Sequence, residues 1–236
     1  MDALGITDHG GMYGAVEFYR KCRAAGIKPI LGCELYVAHE SRLSKTPSEK
    51  DPFHLTVLAK NNIGYKNLLK LVTKSHLEGF YYKPRVDREL LETYRDGLII
   101  LAGCPSAEVP RLLIQGREEE AKEAALWYKE TFPDYYLEVQ RHRNLPDLEL
   151  LNPALVKISQ EMDIPLVASN DLHYVYQEDA PFQDIYICIQ TNTNVKDEKR
   201  LKMSDDSYFL RSSEEMSGLF ADMPQAVENT QLIAEQ

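Results

Sequence analysis

Three features of the sequence predict an α/β fold, an incomplete barrel of parallel strands surrounded by helices. Short apolar runs that resemble strands alternate with segments whose apolar residues recur at helical spacing, and about six or seven such strands are present. The links are short, and repeated strand–helix units with short links form parallel sheets. Polar residues cluster directly after the strands, where barrels of this kind place their active sites.

The predicted elements follow one another in a regular order. The strands are residues 3–6, 27–31, 35–37, 53–59, 97–102, 135–139 and 165–168. The helices are residues 14–25, 61–76, 107–114, 118–132 and 152–162, followed by short helices at 214–220 and 226–235. Residues 39–52 are polar and contain two prolines, so we predict a loop there. Residues 79–87 are predicted to be irregular, and the alternation stops at residue 191.

Composition narrows the class of protein. The 236 residues are 44% hydrophobic and 27% charged, which is typical of a soluble globular protein. The net charge of −10 argues against a free-standing nucleic-acid-binding domain, whose footprint is normally basic. No apolar run approaches the ~18–20 residues of a membrane helix, so we expect no membrane partner. The four cysteines form no CxxC pair, and we expect reduced thiols in a cytoplasmic protein.

The segment Thr7-Asp8-His9-Gly10 is the first candidate for a functional site. It directly follows a predicted strand, and the glycine lets the backbone turn sharply. A rigid strand end is a suitable place to hold an imidazole and a carboxylate for a metal. The alternative is that Asp8 caps the next helix while His9 lies on the surface. Polar residues after other apolar runs favour the metal site.

Three further candidates are associated with other apolar runs. Glu34 follows a Gly-Cys pair between two strands, and its alternative is an ordinary exposed strand acid. His54 opens the apolar run FHLTVLA, and a hydrogen-bonded core histidine is the competing interpretation. Cys104 ends the run GLIILAGC, where it is either a thiolate ligand or a plain buried thiol.

Asp171 and His173 form the strongest local pair. In an extended segment, residues two positions apart point to the same side, so both can bind one metal or two adjacent ones. The alternative is a turn capped by the aspartate. We expect this pair to be catalytic as well as metal-binding. His142 also follows a strand, but Arg141 and Arg143 flank it and indicate a solvated side chain, so we expect an auxiliary role.

The combined donor set indicates a chemistry. Mixed histidine, aspartate, glutamate and cysteine ligands favour zinc, manganese or iron over magnesium alone. Two or three such ions activate a water and hold both oxygens of an in-line phosphate displacement. The residues therefore predict phosphoester hydrolysis.

These motifs resemble the polymerase-and-histidinol-phosphatase (PHP) family. Thr7-Asp8-His9-Gly10 is similar to its second motif, and Asn170-Asp171-Leu172-His173-Tyr174 is similar to its last. Longer segments resemble, in order, the PHP domains of bacterial DNA polymerase III alpha subunits: DALGITDHGGMYGAVEFYRKCRAAGIKPILGCELYVA, FHLTVLAKNNIGYKNLLKLV, GFYYKPRVDRELL, ILAGCPSAEVPRLL and IPLVASNDLHYV. The resemblance extends over nearly the whole chain.

The resemblance implies a distorted (β/α)7 barrel of the PHP type with a metal centre. The implied ligands are His9, Glu34, His54, Cys104, Asp171 and His173, with Asp8 as a supporting carboxylate. Two or three zinc, manganese or iron ions are implied for the complete domain.

The family pattern also contains a segment that this chain lacks. Family members carry a His-x-His strand and an acidic ligand before the Thr-Asp-His-Gly motif, whereas this chain begins at Met1. We therefore expect a fragment that lacks the first barrel strand and three ligands and is inactive alone. Residues 1–200 are expected to form the PHP domain, and residues 201–236 a short helical connector toward an absent polymerase palm.

Two functions of different classes are compatible with this resemblance. The first is a metal-dependent 3′–5′ exonuclease that proofreads within a DNA-directed DNA polymerase, a nucleotidyltransferase of DNA replication. The second is a non-catalytic scaffold that stabilises the polymerase and docks a separate proofreading subunit. A free-standing PHP phosphoesterase is a third. The implied partners are DNA, through the full-length polymerase, and other replicase subunits such as a proofreading exonuclease.

Overall fold

The computed structural model describes residues 1–236 and contains eight strands and nine α-helices. The strands are β1 (Ala3–Ile6), β2 (Lys28–Val37), β3 (Phe53–Ala59), β4 (Phe80–Tyr81), β5 (Lys83–Val86), β6 (Leu98–Leu101), β7 (Asp134–Gln140) and β8 (Leu166–Ser169). The helices are α1 (Ala15–Ala24), α2 (Asn62–Leu77), α3 (Arg88–Thr93), α4 (Glu108–Ile114), α5 (Glu118–Thr131), α6 (Asp147–Met162), α7 (Ala180–Thr191), α8 (Ser213–Leu219) and α9 (Pro224–Glu235). No helix is both long and apolar enough to span a membrane.

The strands form one curled half-barrel, which confirms the predicted α/β class. Their order is β4-β5-β2-β3-β6-β7-β8, and β1 pairs with the first part of β2. The prediction of a parallel sheet is wrong at β3, which runs antiparallel to both β2 and β6. No crossover helix connects β2 to β3, and antiparallel neighbours need none. The start of β3 therefore lies beside the end of β2, with His54 opposite Tyr36.

Three elements differ from the sequence-based prediction. The two short strands predicted at 27–31 and 35–37 are one continuous strand, β2. A glycine, Gly32, suggested a break there, but a Cβ at this position would lie 2.7 Å from the Val57 carbonyl oxygen, so the strand needs glycine for packing. Residues 79–87 contain the β4–β5 hairpin rather than irregular chain, and α7 was not predicted.

The polar loop that precedes β3 is held by a buried arginine. Arg85 on β5 has no exposed surface, and its guanidinium donates to Glu49 at 3.1 Å. It also donates to the carbonyl oxygens of Arg42 and Ser44. Because a buried charge requires such partners, this network ties residues 39–52 to the sheet.

The two faces of the sheet have different surroundings. Residues that point outward, including Val57, Ile100 and Leu137, belong to a cluster of 33 buried residues that the helices complete. On the concave face, Leu58, Ile99, Tyr136 and Val167 pack with Ile233 of α9. Side chains alternate along a strand. The concave face therefore also carries polar side chains, such as that of Glu138 on β7, two positions after Tyr136.

Candidate metal centre

His9, Glu34 and His54 lie together at one end of the half-barrel. The segment that follows β1 runs beside β2. The Gly10 amide donates to the Glu34 carbonyl at 2.9 Å, and the Glu34 amide donates to the Asp8 carbonyl at 3.1 Å. One ligand atom from each of the three side chains lies within 4.8 Å of the other two. His54 Nδ1 donates to Glu34 Oε1 at 2.6 Å, and His9 Nδ1 is 3.8 Å from the same oxygen.

Asp171 and His173 approach this cluster from the chain after β8. The His173 ring centroid is 6.1 Å from that of His9. The expected extended geometry is wrong, because Asp171 has a φ of +46°, in the left-handed region. The two side chains nevertheless stay close, with His173 Nδ1 3.7 Å from Asp171 Oδ1 and 2.6 Å from the Asp171 carbonyl oxygen, to which it donates.

Cys104 follows β6 and is partly buried. Burial raises the pKa of its thiol well above the ordinary value, and the charges of Glu34 and Asp171 raise it further. The segment that starts at Cys104 lies beside the start of β3, because the His54 amide donates to the Ser106 carbonyl at 3.0 Å. A bound cation reverses such a shift, since a coordinating thiol is deprotonated.

Opposing effects determine the pKa values of Glu34 and His9. Burial alone raises the pKa of this carboxyl, but the hydrogen bond from His54 and the nearby charges of His9, His54 and His173 bring it below its usual value. Burial lowers the pKa of His9, Glu34 opposes that effect, and His54, His173 and Lys83 lower it again. Glu34 is therefore ionised at neutral pH, while His9 is uncharged there.

The pKa of Asp171 is shifted in the opposite direction from that of Glu34. Burial raises the pKa of its carboxyl to about 6, and the charge of Glu34 contributes to the rise. His173 and His54 lower the pKa but do not compensate fully. The part of the centre around Asp171 therefore carries acidic groups with too little positive charge beside them.

Asp8 and His142, the two residues expected to support the centre, lie in different surroundings. Asp8 is exposed, and its side chain makes no hydrogen bond to any of the six candidate ligands. The expectation of a solvated His142 is wrong: its ring is buried, stacks on Tyr208 at 3.8 Å and hydrogen-bonds through Nδ1 to Ser207 Oγ at 2.7 Å. Burial lowers the pKa of His142 to about 4, against the opposing charge of Asp205.

Sequence reasoning missed two groups beside these ligands. The Tyr36 ring stacks with His9 at 5.9 Å and meets His54 edge-on at 5.2 Å. Glu138 lies buried on β7, where burial raises the pKa of its carboxyl to about 7. The alternation in DYYLEVQ was the available signal, since it places Tyr136 and Glu138 on one face.

The geometry of the histidines fits a metal centre. In both His54 and His173, Nδ1 is hydrogen-bonded to an oxygen, so Nε2 is the ring nitrogen available to an ion. Metal-binding histidines are typically oriented by such a bond from the second ring nitrogen. The residues that could hold ions are His9, Glu34 and His54 on one side and Cys104, Asp171 and His173 on the other.

The model of the PHP domain matches residues 1–142, more than half of the chain. The chain belongs to the PHP family.

Its relatives include DNA polymerase III alpha subunits. That of Borreliella burgdorferi is 48% identical over the whole chain, and that of Treponema pallidum is 47% identical over the whole chain. The protein from Thermus aquaticus is 40% identical over 93% of the chain. The chain spans only about a fifth of these relatives, from 18% to 21% of their length.

Proposed function

We propose that this chain is the PHP portion of a bacterial replicative DNA polymerase and forms a metal-dependent phosphoesterase centre that removes nucleotides from the 3′ end of DNA. The observation that carries the proposal is the convergence of His9, Glu34 and His54 within 4.8 Å, with the Asp171–His173 pair beside them. The polymerase relatives supply the biological context.

Each side chain has a defined part in the proposal. Two or three zinc, manganese or iron ions, when bound, supply a water of lowered pKa and neutralise charge on the phosphate. Glu34 and Asp171 contribute negative charge to the ions, and His173 presents Nε2 because Nδ1 is fixed by the Asp171 carbonyl. Cys104 contributes a thiolate, and Asp171 and His173 act nearest the reacting phosphate. Asp8 and His142 support the centre from outside it.

The domain boundaries form part of the proposal. Residues 1–200 are the PHP domain, and residues 201–236 lead toward the remainder of the polymerase. This last segment also packs back on the barrel, because Asn229 donates to the Leu166 carbonyl at 2.6 Å and the His173 amide donates to the Tyr208 carbonyl. We propose DNA and other replicase subunits as partners.

A nuclease assay tests the proposal. The complete polymerase that contains these residues is incubated with Mn²⁺ and single-stranded DNA labelled at its 3′ end. We expect release of the label, and loss of that release in the Asp171→Asn variant, because the variant lacks a charged ligand. Polymerisation by the same variant serves as the folding control. Equal release by both proteins would contradict the assignment of Asp171.

A scaffold is the second candidate function. Its support is an apolar stripe on α7, where Phe182, Ile185, Tyr186 and Ile189 recur at helical spacing and are each 47–71% exposed. Exposed apolar patches of this kind mark interaction surfaces. Metal binding without nuclease activity in the assay above would favour this function.

A further inference from the structure

An open cleft of about 740 Å³ lies between the segment after β7, the first half of α6 and the residues on either side of α8. Its apolar side chains include Leu148 and Val156 of α6. Three arginines, Arg141, Arg143 and Arg211, line it as well. Ligand sites typically combine this size and apolar lining with a few polar groups. In a chain with a net charge of −10, three arginines in one cleft indicate an anionic ligand.

Arg211 is the arginine of this cleft whose charge no carboxylate pairs. The other two, Arg141 and Arg143, are both in ion pairs. The Arg211 guanidinium lies 4.5 Å from the centre of the Phe209 ring and donates through Nε to Asn170 Oδ1 at 3.1 Å. Its two amino groups make no hydrogen bond. They are therefore free to bind a phosphate with the two-pronged geometry that a guanidinium favours.

Three residues that line the cleft carry buried polar atoms without partners, namely Gln140 Oε1, His142 Nε2 and Asn152 Oδ1. Gln140 is only 2% exposed and His142 only 8%. Asn152 Nδ2 donates to the Gln140 carbonyl at 2.9 Å, which leaves Oδ1 to accept. Gln140 Nε2 likewise donates to Glu138, so its Oε1 is also left as an acceptor. Because unpartnered buried atoms are costly, this group indicates a ligand that carries hydrogen-bond donors.

The cleft adjoins the candidate metal centre through Tyr208. The His142 ring stacks on Tyr208 at 3.8 Å, and the His173 ring meets Tyr208 edge-on at 5.7 Å. Asn170, the hydrogen-bond partner of the unpaired arginine, directly precedes Asp171 in the chain. A ligand in the cleft therefore lies next to the part of the centre that Asp171 and His173 form.

We propose that this cleft binds one nucleotide of a single DNA strand whose 3′ end lies at the metal centre. Arg211 holds the phosphate of that nucleotide, and Asn152 Oδ1 accepts a hydrogen bond from an N–H group of its base. A nucleotide carries both the anion and the donors that the lining calls for. The inference rests on the proposed function for its choice of DNA as the ligand, and it requires no bound metal.

Photocrosslinking on the complete polymerase that contains these residues tests this inference. The protein is mixed, in EDTA, with a single-stranded oligonucleotide that carries 4-thiothymidine near its 3′ end, and mass spectrometry locates the crosslinked peptides after irradiation. We expect crosslinks on the peptides that contain His142 and Asn152. Arg211→Met is expected to lower their yield by about 10-fold, the loss typical of one charge-assisted contact. Arg95→Met, which changes an exposed arginine without an ion pair, is expected to match the wild type.

The kinetics of 3′-label release with Mn²⁺ separate a binding residue from a structural one. Arg211→Met is expected to raise KM by about 10-fold and to leave kcat unchanged, because Arg211 contacts a phosphate other than the reacting one. Polymerisation by each variant is the folding control, and Arg211→Lys, which keeps the charge but not the planar fork, serves if Arg211→Met does not fold. Crosslinks that lie only outside the cleft, or that persist in full in the Arg211 variants, would overturn the inference.

The outcomes also distinguish this inference from the proposed function. If label release depends on Asp171 while the strand crosslinks only outside the cleft, the nuclease stands and the nucleotide site is wrong. If the strand crosslinks to the cleft in an Arg211-dependent manner and no label is released with Mn²⁺, the nucleotide site stands and the nuclease is wrong.

Discussion

The two sides of the candidate centre differ in electrostatic character. The histidine side consists of His9, which follows β1, Glu34, which lies within β2, and His54, at the start of β3. The acidic side consists of Cys104, Glu138 and Asp171, from β6 to β8, with His173 beside Asp171. On the histidine side the pKa of Glu34 is lowered, whereas on the acidic side burial raises the pKa of Asp171 to about 6 and that of Glu138 to about 7.

This difference shows where a cation matters most. The carboxylate of the histidine side is hydrogen-bonded to His54, and its pKa is lowered without any metal. The acids of the acidic side have too little positive charge nearby and gain more from a bound cation. We therefore expect metal-dependent stability on the acidic side and metal-independent stability on the histidine side.

The largest expected effect comes from the acidic side. Asp171→Asn removes a charged ligand, and we expect the dissociation constant for Mn²⁺ to rise by more than about 100-fold, since even changes to groups around ligands cost 10–100-fold. Isothermal titration calorimetry on the metal-free chain measures it. Asp163→Asn is the matched control, because Asp163 is exposed at the end of α6 in a left-handed conformation that asparagine tolerates. Equal losses in both variants would remove the distinction between the two sides.

His142 provides a contrast to the histidine side, because its imidazole is hydrogen-bonded to the Ser207 hydroxyl and not to a carboxylate. Burial lowers its pKa from 6.5 to about 4, so the unfolded chain takes up the proton first as the pH falls. The group costs no stability above pH 6.5 and about 2 to 3 kcal/mol by pH 4. His142→Phe keeps an aromatic ring against Tyr208, and we expect a smaller loss of stability between pH 6.5 and 4 than in the wild type. Urea unfolding across this range measures it, and identical pH profiles would contradict the prediction.

Glu34→Gln tests the balance of the histidine side. The substitution turns the charge-assisted hydrogen bond to His54 into a neutral one, and we expect a loss of about 1 kcal/mol in the free energy of unfolding of the metal-free protein. Because the folded pKa of Glu34 lies below its ordinary 4.5, this loss is fully present above pH 4.5 and disappears as the pH falls below it. Glu138→Gln is the comparison, and a similar loss there would show that the two sides do not differ.

The smallest effect concerns Lys83 at the edge of the histidine side. Its ammonium group lies 5.3 Å from the centre of the Tyr36 ring and lowers the pKa of His9. Lys83→Met is therefore expected to raise the pKa of His9, because one of the positive charges that lower it is removed. Titration of the imidazole signals by NMR measures it. An unchanged pKa would mean that Lys83 does not act on this histidine.

The sequence predicted most of the site because its residues lie at visible boundaries. The strands at 3–6 and 53–59 have the predicted bounds, and His9, Cys104 and Asp171 each follow an apolar run. Such residues are recognisable because a polar side chain next to a buried strand is uncommon and therefore informative. The structure brings His9, Glu34 and His54 together at one end of the half-barrel, with His173 and Asp171 beside them.

The features that were missed depend on partners far away in the chain. The direction of β3 depends on how residues 39–52 return to the sheet, and that loop is held by Arg85. Glu138 resembles an ordinary strand acid until β6 and β8 lie beside it. α7 is rich in isoleucine and aromatic residues, which have lower helix than strand preference, so its pattern did not indicate a helix.

The sharpest test of the two-sided metal centre is anomalous diffraction from crystals of the complete polymerase that contains these residues, grown with Mn²⁺. We expect one manganese peak in contact with Glu34 and a histidine of the histidine side, and another in contact with Asp171 or His173. Manganese bound only at other residues, or absent from both sides, would contradict it.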